Sequence, residues 1–164
     1  MAYLLDANVF IEAKNRYYGF DVCPGFWDWI DGSNAASRVF SIEKVGDELK
    51  AIADDLSAWA ASKGTGLFLP TDPAMLTSLR DVASWAIGQH YEPGAVTTFL
   101  QGADSYLVAH ARTLGYAVVT HEVPSTSLKR IKIPDACVGL GVRCVSPFEM
   151  LRNERARFVL GVGA

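Results

Sequence analysis

Four carboxylates stand where an α/β protein gathers its ligands. Asp6 directly follows the apolar run Tyr3-Leu4-Leu5, with Asn8 two residues on. Glu122 follows the run Ala117-Val118-Val119-Thr120, and Asp104 begins the segment that leads into that run. Polar residues just past buried strands lie at the carboxyl edge of a parallel sheet, where open α/β folds bind ligands. Glu48 is the fourth. Ile42, Val45, Leu49, Ile52, Leu56 and Trp59 recur at steps of three or four, and at about 100° per residue Glu48 lies roughly 65° from the centre of that stripe. Glu43 and Asp47 lie about 150° or more away and read as its solvated face. A carboxylate bordering a buried face needs a partner. No Lys or Arg is evident among the four acids, so their mutual repulsion calls for a divalent cation. Hard oxygen ligands select Mg2+ or Mn2+ over zinc. Such a centre activates a water and stabilises the leaving oxygen of a phosphodiester. Taken singly, Asp6 and Asp104 read equally well as helix caps.

Other side chains flank these acids. The hydroxyls of Ser41 and Thr120 are read as orienting carboxylates rather than attacking, since no His is placed to activate either. Lys129, Arg130 and Lys132 lie in a polar loop over 121–133, as phosphate contacts or as a solvated loop. His90, His110 and His121 share no ligand spacing, and His121, beside Glu122, is not read as a general base. Residues 17–29 hold Tyr17, Tyr18, Phe20, Phe26, Trp27 and Trp29. They form a platform for unpaired bases, a dock for a partner protein, or a helix–loop segment packed on the core. The last reading is taken for Phe26 and Trp29; Tyr17 and Tyr18 fit either.

These residues need elements to hold them. Tyr3-Leu4-Leu5 reads as a buried strand and Val9 to Lys14 as the start of a helix. Residues 39–42 are a second short strand or the entry to a long helix over roughly 42–62, which Gly64 and Gly66 stop. Leu67-Phe68-Leu69 is a further strand. Asp72-Pro73 caps and opens a helix that reaches Gly88. A shorter helix covers about 94–101. The next starts near Asp104, points Leu107, Val108, Ala111 and Leu114 inward and stops at Gly115. Residues 117–120 lack polar alternation, so both faces are buried, as in a parallel sheet. Residues 142–145 are a last strand, and Pro147 opens a terminal helix. Strands alternating with helices make an α/β fold.

Length and composition agree. The chain has 164 residues, the size of one domain, with no internal repeat or low-complexity linker. Half the residues are hydrophobic and a fifth charged, which excludes a disordered chain. A net charge of −3 excludes a general nucleic-acid coat, but not an enzyme that meets a polyanion through a local basic patch or a metal. Cys23, Cys137 and Cys144 form no C-x-x-C pair, so a zinc site is not expected and a reduced, cytoplasmic setting is. The opening Met1-Ala2-Tyr3-Leu4-Leu5-Asp6 does not read as a signal peptide. No stretch approaches the ~18 apolar residues of a membrane span.

The segments "YLLDANVFIE", "FSIEKVGDELK" and "GADSYLVAHARTLGYAVVTHE" resemble the PIN domain in order and spacing. The closing "IPDACVGLGVRCVSPFEML" and the early "YYGFDVCPGFWDWI" are similar to a PIN-like bacterial subfamily, so the likeness covers nearly the whole chain. It implies one PIN-like three-layer α/β/α sandwich over residues 1–164, with a central, mostly parallel sheet. It also implies a VapC-like, Mg2+- or Mn2+-dependent endoribonuclease, the toxin of a toxin–antitoxin pair, with RNA as substrate and a protein antitoxin as partner. On the resemblance, Asp6, Glu48, Asp104 and Glu122 are catalytic and hold the metal, while Asn8, Ser41, Thr120, Lys129 and Arg130 contact substrate or support the acids. Many PIN toxins carry a further Asp a few residues past the Thr; here that position is Ser125. Glu122 or Asp135 fills the role, or the site has three acids, which leaves one or two metals open. A homodimer is also open. The same site without catalysis would be a binding module. Asp6-x-Asn8 after a strand also resembles the D-x-D of haloacid-dehalogenase-type phosphatases. Asn8 cannot serve as that family's acid/base, and its downstream Lys and acidic pair are not evident.

Overall fold

Short unbroken apolar runs cannot expose a face to water, so the sheet they form must be covered on both sides. The computed structural model, which describes residues 1–161, places them so. In chain order the elements are β1 (Tyr3–Leu5), α1 (Ala7–Glu12), α2 (Pro24–Ala35), β2 (Val39–Ile42), α3 (Glu43–Lys50), α4 (Asp55–Ala61), β3 (Phe68–Leu69), α5 (Leu76–Gly88), α6 (Pro93–Gln101), α7 (Ala103–Leu114), β4 (Ala117–Val119), α8 (Ile133–Leu140), β5 (Cys144–Val145) and α9 (Pro147–Asn153). The five strands form one sheet in the order β3-β2-β1-β4-β5, and every pairing is parallel. Helices cover both faces, giving a three-layer α/β/α sandwich.

β1 lies at the centre, with Tyr3 and Leu4 opposite Val39 and Phe40 on one side and Tyr3 to Leu5 opposite Ala117 to Val119 on the other. All three β1 residues are buried. α7 packs on β1, β2 and β4, and against α5, α6 and α8. An aromatic layer links α1, α2 and α4: Trp59 meets Phe10 at 5.6 Å and Trp27 at 4.9 Å between ring centroids. Phe26 and Trp27 are buried, and the Trp27 indole N–H donates to the Tyr18 carbonyl at 2.7 Å. Of the aromatics in 17–29, Tyr17 is exposed, Tyr18, Phe20 and Trp29 are half-buried against the core, and Phe26 and Trp27 belong to it. Burying such a side chain contributes about 1.5–3 kcal/mol.

Three boundaries differ from the sequence reading. The helix expected over 42–62 is two helices. The Asp54 carboxylate accepts from Ser57 N at 2.9 Å while Ser57 Oγ accepts from Asp54 N at 3.1 Å. This reciprocal cap starts a new helix, and Ile52, read as part of the apolar stripe, is 44% exposed. Leu114 is also exposed, in the last turn of α7, where Gly115 ends the helix at φ +70°. Residues 133–140, which no periodicity marked, form α8, opened by Pro134. The Asp72 cap is present: its carboxylate accepts from Ala74 N at 2.7 Å, starting a short 3-10 turn before α5.

Candidate active site

Adjacent parallel strands deliver the residues just beyond their ends side by side. Asp6 N donates to Val119 O at 3.0 Å, which sets Asp6 next to Thr120. Thr120 Oγ1 donates to Asp6 Oδ2 at 2.8 Å, and Ala7 N donates to Asp6 Oδ1 at 2.7 Å. Asp6 is thus both the cap of α1 and a buried carboxylate at the sheet's carboxyl edge. Asn8 is fixed at both ends: its Nδ2 donates to Thr120 Oγ1 at 3.1 Å and its Oδ1 accepts from His121 N at 3.1 Å. Glu122 N also donates to Thr120 Oγ1, at 3.1 Å. The Thr120 hydroxyl so gives its one proton to Asp6 and accepts two, its full capacity. It orients Asp6, as its position in the sequence suggested.

Asp104 enters from the first turn of α7 and lines a cavity of about 330 Å³ together with Lys129 and Arg130. Burial pushes the Asp6 carboxyl up to about 7, and the charge of Asp104 adds to the rise against the Thr120 and Ala7 hydrogen bonds. Burial likewise pushes Asp104 up to about 6, with the charges of Glu122 and Glu48 adding and those of Arg130 and Lys132 opposing. All four predicted acids therefore share one field, with Asp6, buried, and Asp104, half-buried, at its centre.

Glu122 differs from expectation. Basic groups do stand among the acids: Arg130 donates to Glu122 Oε1 at 3.1 Å, Lys132 Nζ lies 3.6 Å from the same oxygen, and Ile133 N donates to Oε2 at 2.8 Å. Its carboxylate is already engaged, so it anchors the basic loop to the start of α8. The sequence pointer to this was Pro134, a helix opener directly after the basic run.

Glu48 and Glu43 exchange the surroundings expected of them. Glu48 is exposed, whereas Glu43 is half-buried and accepts from Thr71 N at 2.9 Å. The stripe that set their phase belongs to two helices, not one. Ser41 does not touch an acid: its hydroxyl donates to the Leu5 carbonyl at 2.6 Å and ties β2 to the strand carrying Asp6. Asp135 lies in the first turn of α8 and accepts from Ser125 N at 3.0 Å, closing the loop rather than joining the acids. Lys129 and Arg130 are exposed. Among the described residues, no three His, Cys, Asp or Glu side chains stand close enough to hold a metal ion jointly. No helix there is long and apolar enough to cross a membrane.

A family model described as a domain of unknown function, DUF4411, matches residues 3–158. The chain belongs to the DUF4411 family. The DUF4411 match runs from β1 to beyond α9, so Asp6, Glu48, Asp104 and Glu122 all lie inside it. No curated protein and no solved structure matches the chain.

Proposed function

We propose that the chain is a metal-dependent endoribonuclease that hydrolyses RNA phosphodiester bonds, as its resemblance to PIN ribonucleases implies. One observation carries the reading. Two carboxylates at the carboxyl edge of a parallel sheet, Asp6 buried and Asp104 half-buried, are both held above the ordinary carboxylate range, and the charge of Asp104 raises Asp6, beside a cavity that Asp104 lines with Lys129 and Arg130. Among the described residues no Lys or Arg forms an ion pair with Asp6 or Asp104, whereas Arg130 and Lys132 pair with Glu122 beside them. Mg2+ keeps several waters and binds through one or two carboxylates plus substrate phosphate, so a two-acid site fits Mg2+ or Mn2+ without a third close carboxylate. Asp6 and Asp104 would hold the ion, which when bound supplies an activated water and stabilises the leaving oxygen. Thr120 and Asn8 keep Asp6 in one orientation. Lys129 and Arg130 meet phosphate, Glu122 positions Arg130 and Lys132, and Glu48 stands at the rim. Asn8 is hydrogen-bonded at both ends and has no proton to exchange, which counts against the phosphatase alternative. The deciding experiment is cleavage of total cellular RNA with Mg2+, Mn2+ or chelator, with Asp6→Asn as control. Cleavage that needs metal and Asp6 supports the reading; cleavage indifferent to both overturns it.

The engagement of Glu122 by Arg130, Lys132 and Ile133 favours one second reading, a catalytically degenerate binding module. RNA binding without cleavage under any divalent ion would establish it. The resemblance further supports a toxin held in check in the cytoplasm by a protein antitoxin that offers an Arg or Lys to Asp6 and Asp104. Expression of the wild type alone then slows bacterial growth, and Asp6→Asn relieves it. Equal growth of both would remove the toxin role.

A further inference from the structure

The chain does not stop being helical at the end of α1. Residues Ala13–Tyr17 continue as a π-helical turn, closed by Tyr18 N donating to Ala13 O at 2.7 Å. π turns widen a helix and re-aim the side chains that follow, and they recur at functional sites. Here the turn splits two neighbouring tyrosines. Tyr18 goes inward and stacks on Phe26 at 4.6 Å between ring centroids. Tyr17 goes outward and stacks on the His121 imidazole at 5.6 Å and 23°, with the Phe148 ring edge-on at 5.2 Å.

The stack is tied to the acids. His121 is the residue after Thr120, and its backbone N–H is held by Asn8, so the platform and the Asp6 carboxylate are joined through the same two side chains, Asn8 and Thr120. Tyr17 is 45% exposed even with the His121 and Phe148 rings against it and the Tyr18 ring tilted 6.2 Å away. On the far flank of His121 lies an open cavity of about 490 Å³ bounded by Thr120, Glu122 and Phe148. A tyrosine ring already held in place offers a stacking face at little cost in conformational entropy. Because Asn8 and Thr120 join this stack to Asp6, a nucleotide next to a scissile phosphate is the flat group the site would bring to it.

Resting on the ribonuclease reading, we propose that Tyr17, backed by His121 and Phe148, stacks an unpaired nucleobase flanking the cleaved phosphate. A paired base is buried in its own helix and cannot offer its face to a side chain, so duplex RNA gains nothing from this contact.

The test is binding by metal-free protein, read as fluorescence quenching of 2-aminopurine in a single-stranded RNA oligonucleotide, beside cleavage kinetics of the same oligonucleotide with Mn2+. The wild type quenches. Tyr17→Ala loses the quenching and raises Kd and KM about tenfold to a hundredfold, with a smaller change in kcat. Tyr17→Phe restores the quenching, which separates stacking from a folding defect. The same probe placed in a duplex shows no difference between wild type and Tyr17→Ala. If wild type and Tyr17→Ala bind and cleave single strands equally, the platform is wrong while the ribonuclease reading stands. If the wild type neither binds nor cleaves any single-stranded RNA, the ribonuclease reading falls and the platform with it.

Discussion

At Asp104 the linkage between charge and folding gives a measurable sign. Its carboxyl titrates near 6 in the fold, raised by burial and then by Glu122 and Glu48, against 3.8 when unperturbed. Between those values the folded chain holds the proton more tightly than the unfolded one. The ionised group therefore opposes folding fully above about 6, and the opposition is gone below 3.8. Without divalent ion, Asp104→Asn should stabilise the protein at pH 8 by on the order of 2 kcal/mol, allowing for partial contact with solvent. The gain should shrink steadily towards pH 4. Thermal melts at pH 8 and pH 5 check this, and a gain independent of pH would show that Asp104 is not strained by its charge. Mn2+ acts on the same residue from the other side. It should raise the wild-type melting temperature by mass action, more at pH 8 than at pH 5 where protons compete for the carboxylates, and Asp104→Asn should lose most of that rise.

Among the elements, the basic loop between β4 and α8 depends most on one side chain. Glu122 gathers Arg130, Lys132 and the Ile133 amide, and its side chain is mostly buried. Glu122→Ala leaves that amide unpaired and two cations without their partner. We expect a loss on the order of 2 kcal/mol and faster trypsin cleavage after Lys129, Arg130 or Lys132, since the loop would open. Unchanged digestion would mean that the loop is held elsewhere. This clustering was not legible in the sequence because its partners lie eight to eleven residues apart in a segment without periodicity. The polar residues at the strand ends were legible: Asp6 and Thr120 needed only the parallel pairing of β1 and β4 to bring them together. Glu43 and Glu48 were misassigned for an equally physical reason. A phase calculated over one long helix fails when the reciprocal cap at Asp54 and Ser57 divides it. The corrected geometry inverts the expected outcome for Glu43. Its replacement by Ala should cost about 1 kcal/mol by orphaning Thr71 N, whereas Glu48→Gln should leave stability nearly unchanged and act only on cleavage. Melting curves of the two variants decide it.

For the molecule as a whole, stability against pH is set by opposing buried groups. Asp6 and Asp104 make the metal-free fold more stable as pH falls, since their folded pKa values are raised. His110 works the other way. It lies on α7, fully buried, with neither ring nitrogen hydrogen-bonded, and burial lowers its pKa to about 4 from 6.5 despite the carboxylates of Asp72 and Glu43. The unfolded chain binds this proton first. The contribution of neutral His110 is therefore complete above 6.5 and is lost as pH falls through about 4. In the wild type His110 offsets part of the gain that the two acids give between pH 8 and pH 5. Substituting His110 separates the two trends. His110→Leu removes two buried nitrogens without partners and the group that must charge on unfolding, in a core position that accepts an apolar side chain. Its advantage over the wild type should widen by about 2 kcal/mol from pH 8 to pH 5, and its own stability should rise on acidification as the two acids take up protons. Urea unfolding of both proteins in chelator at the two pH values measures the difference. A constant gap would show that His110 is already partnered in solution and does not oppose the two acids.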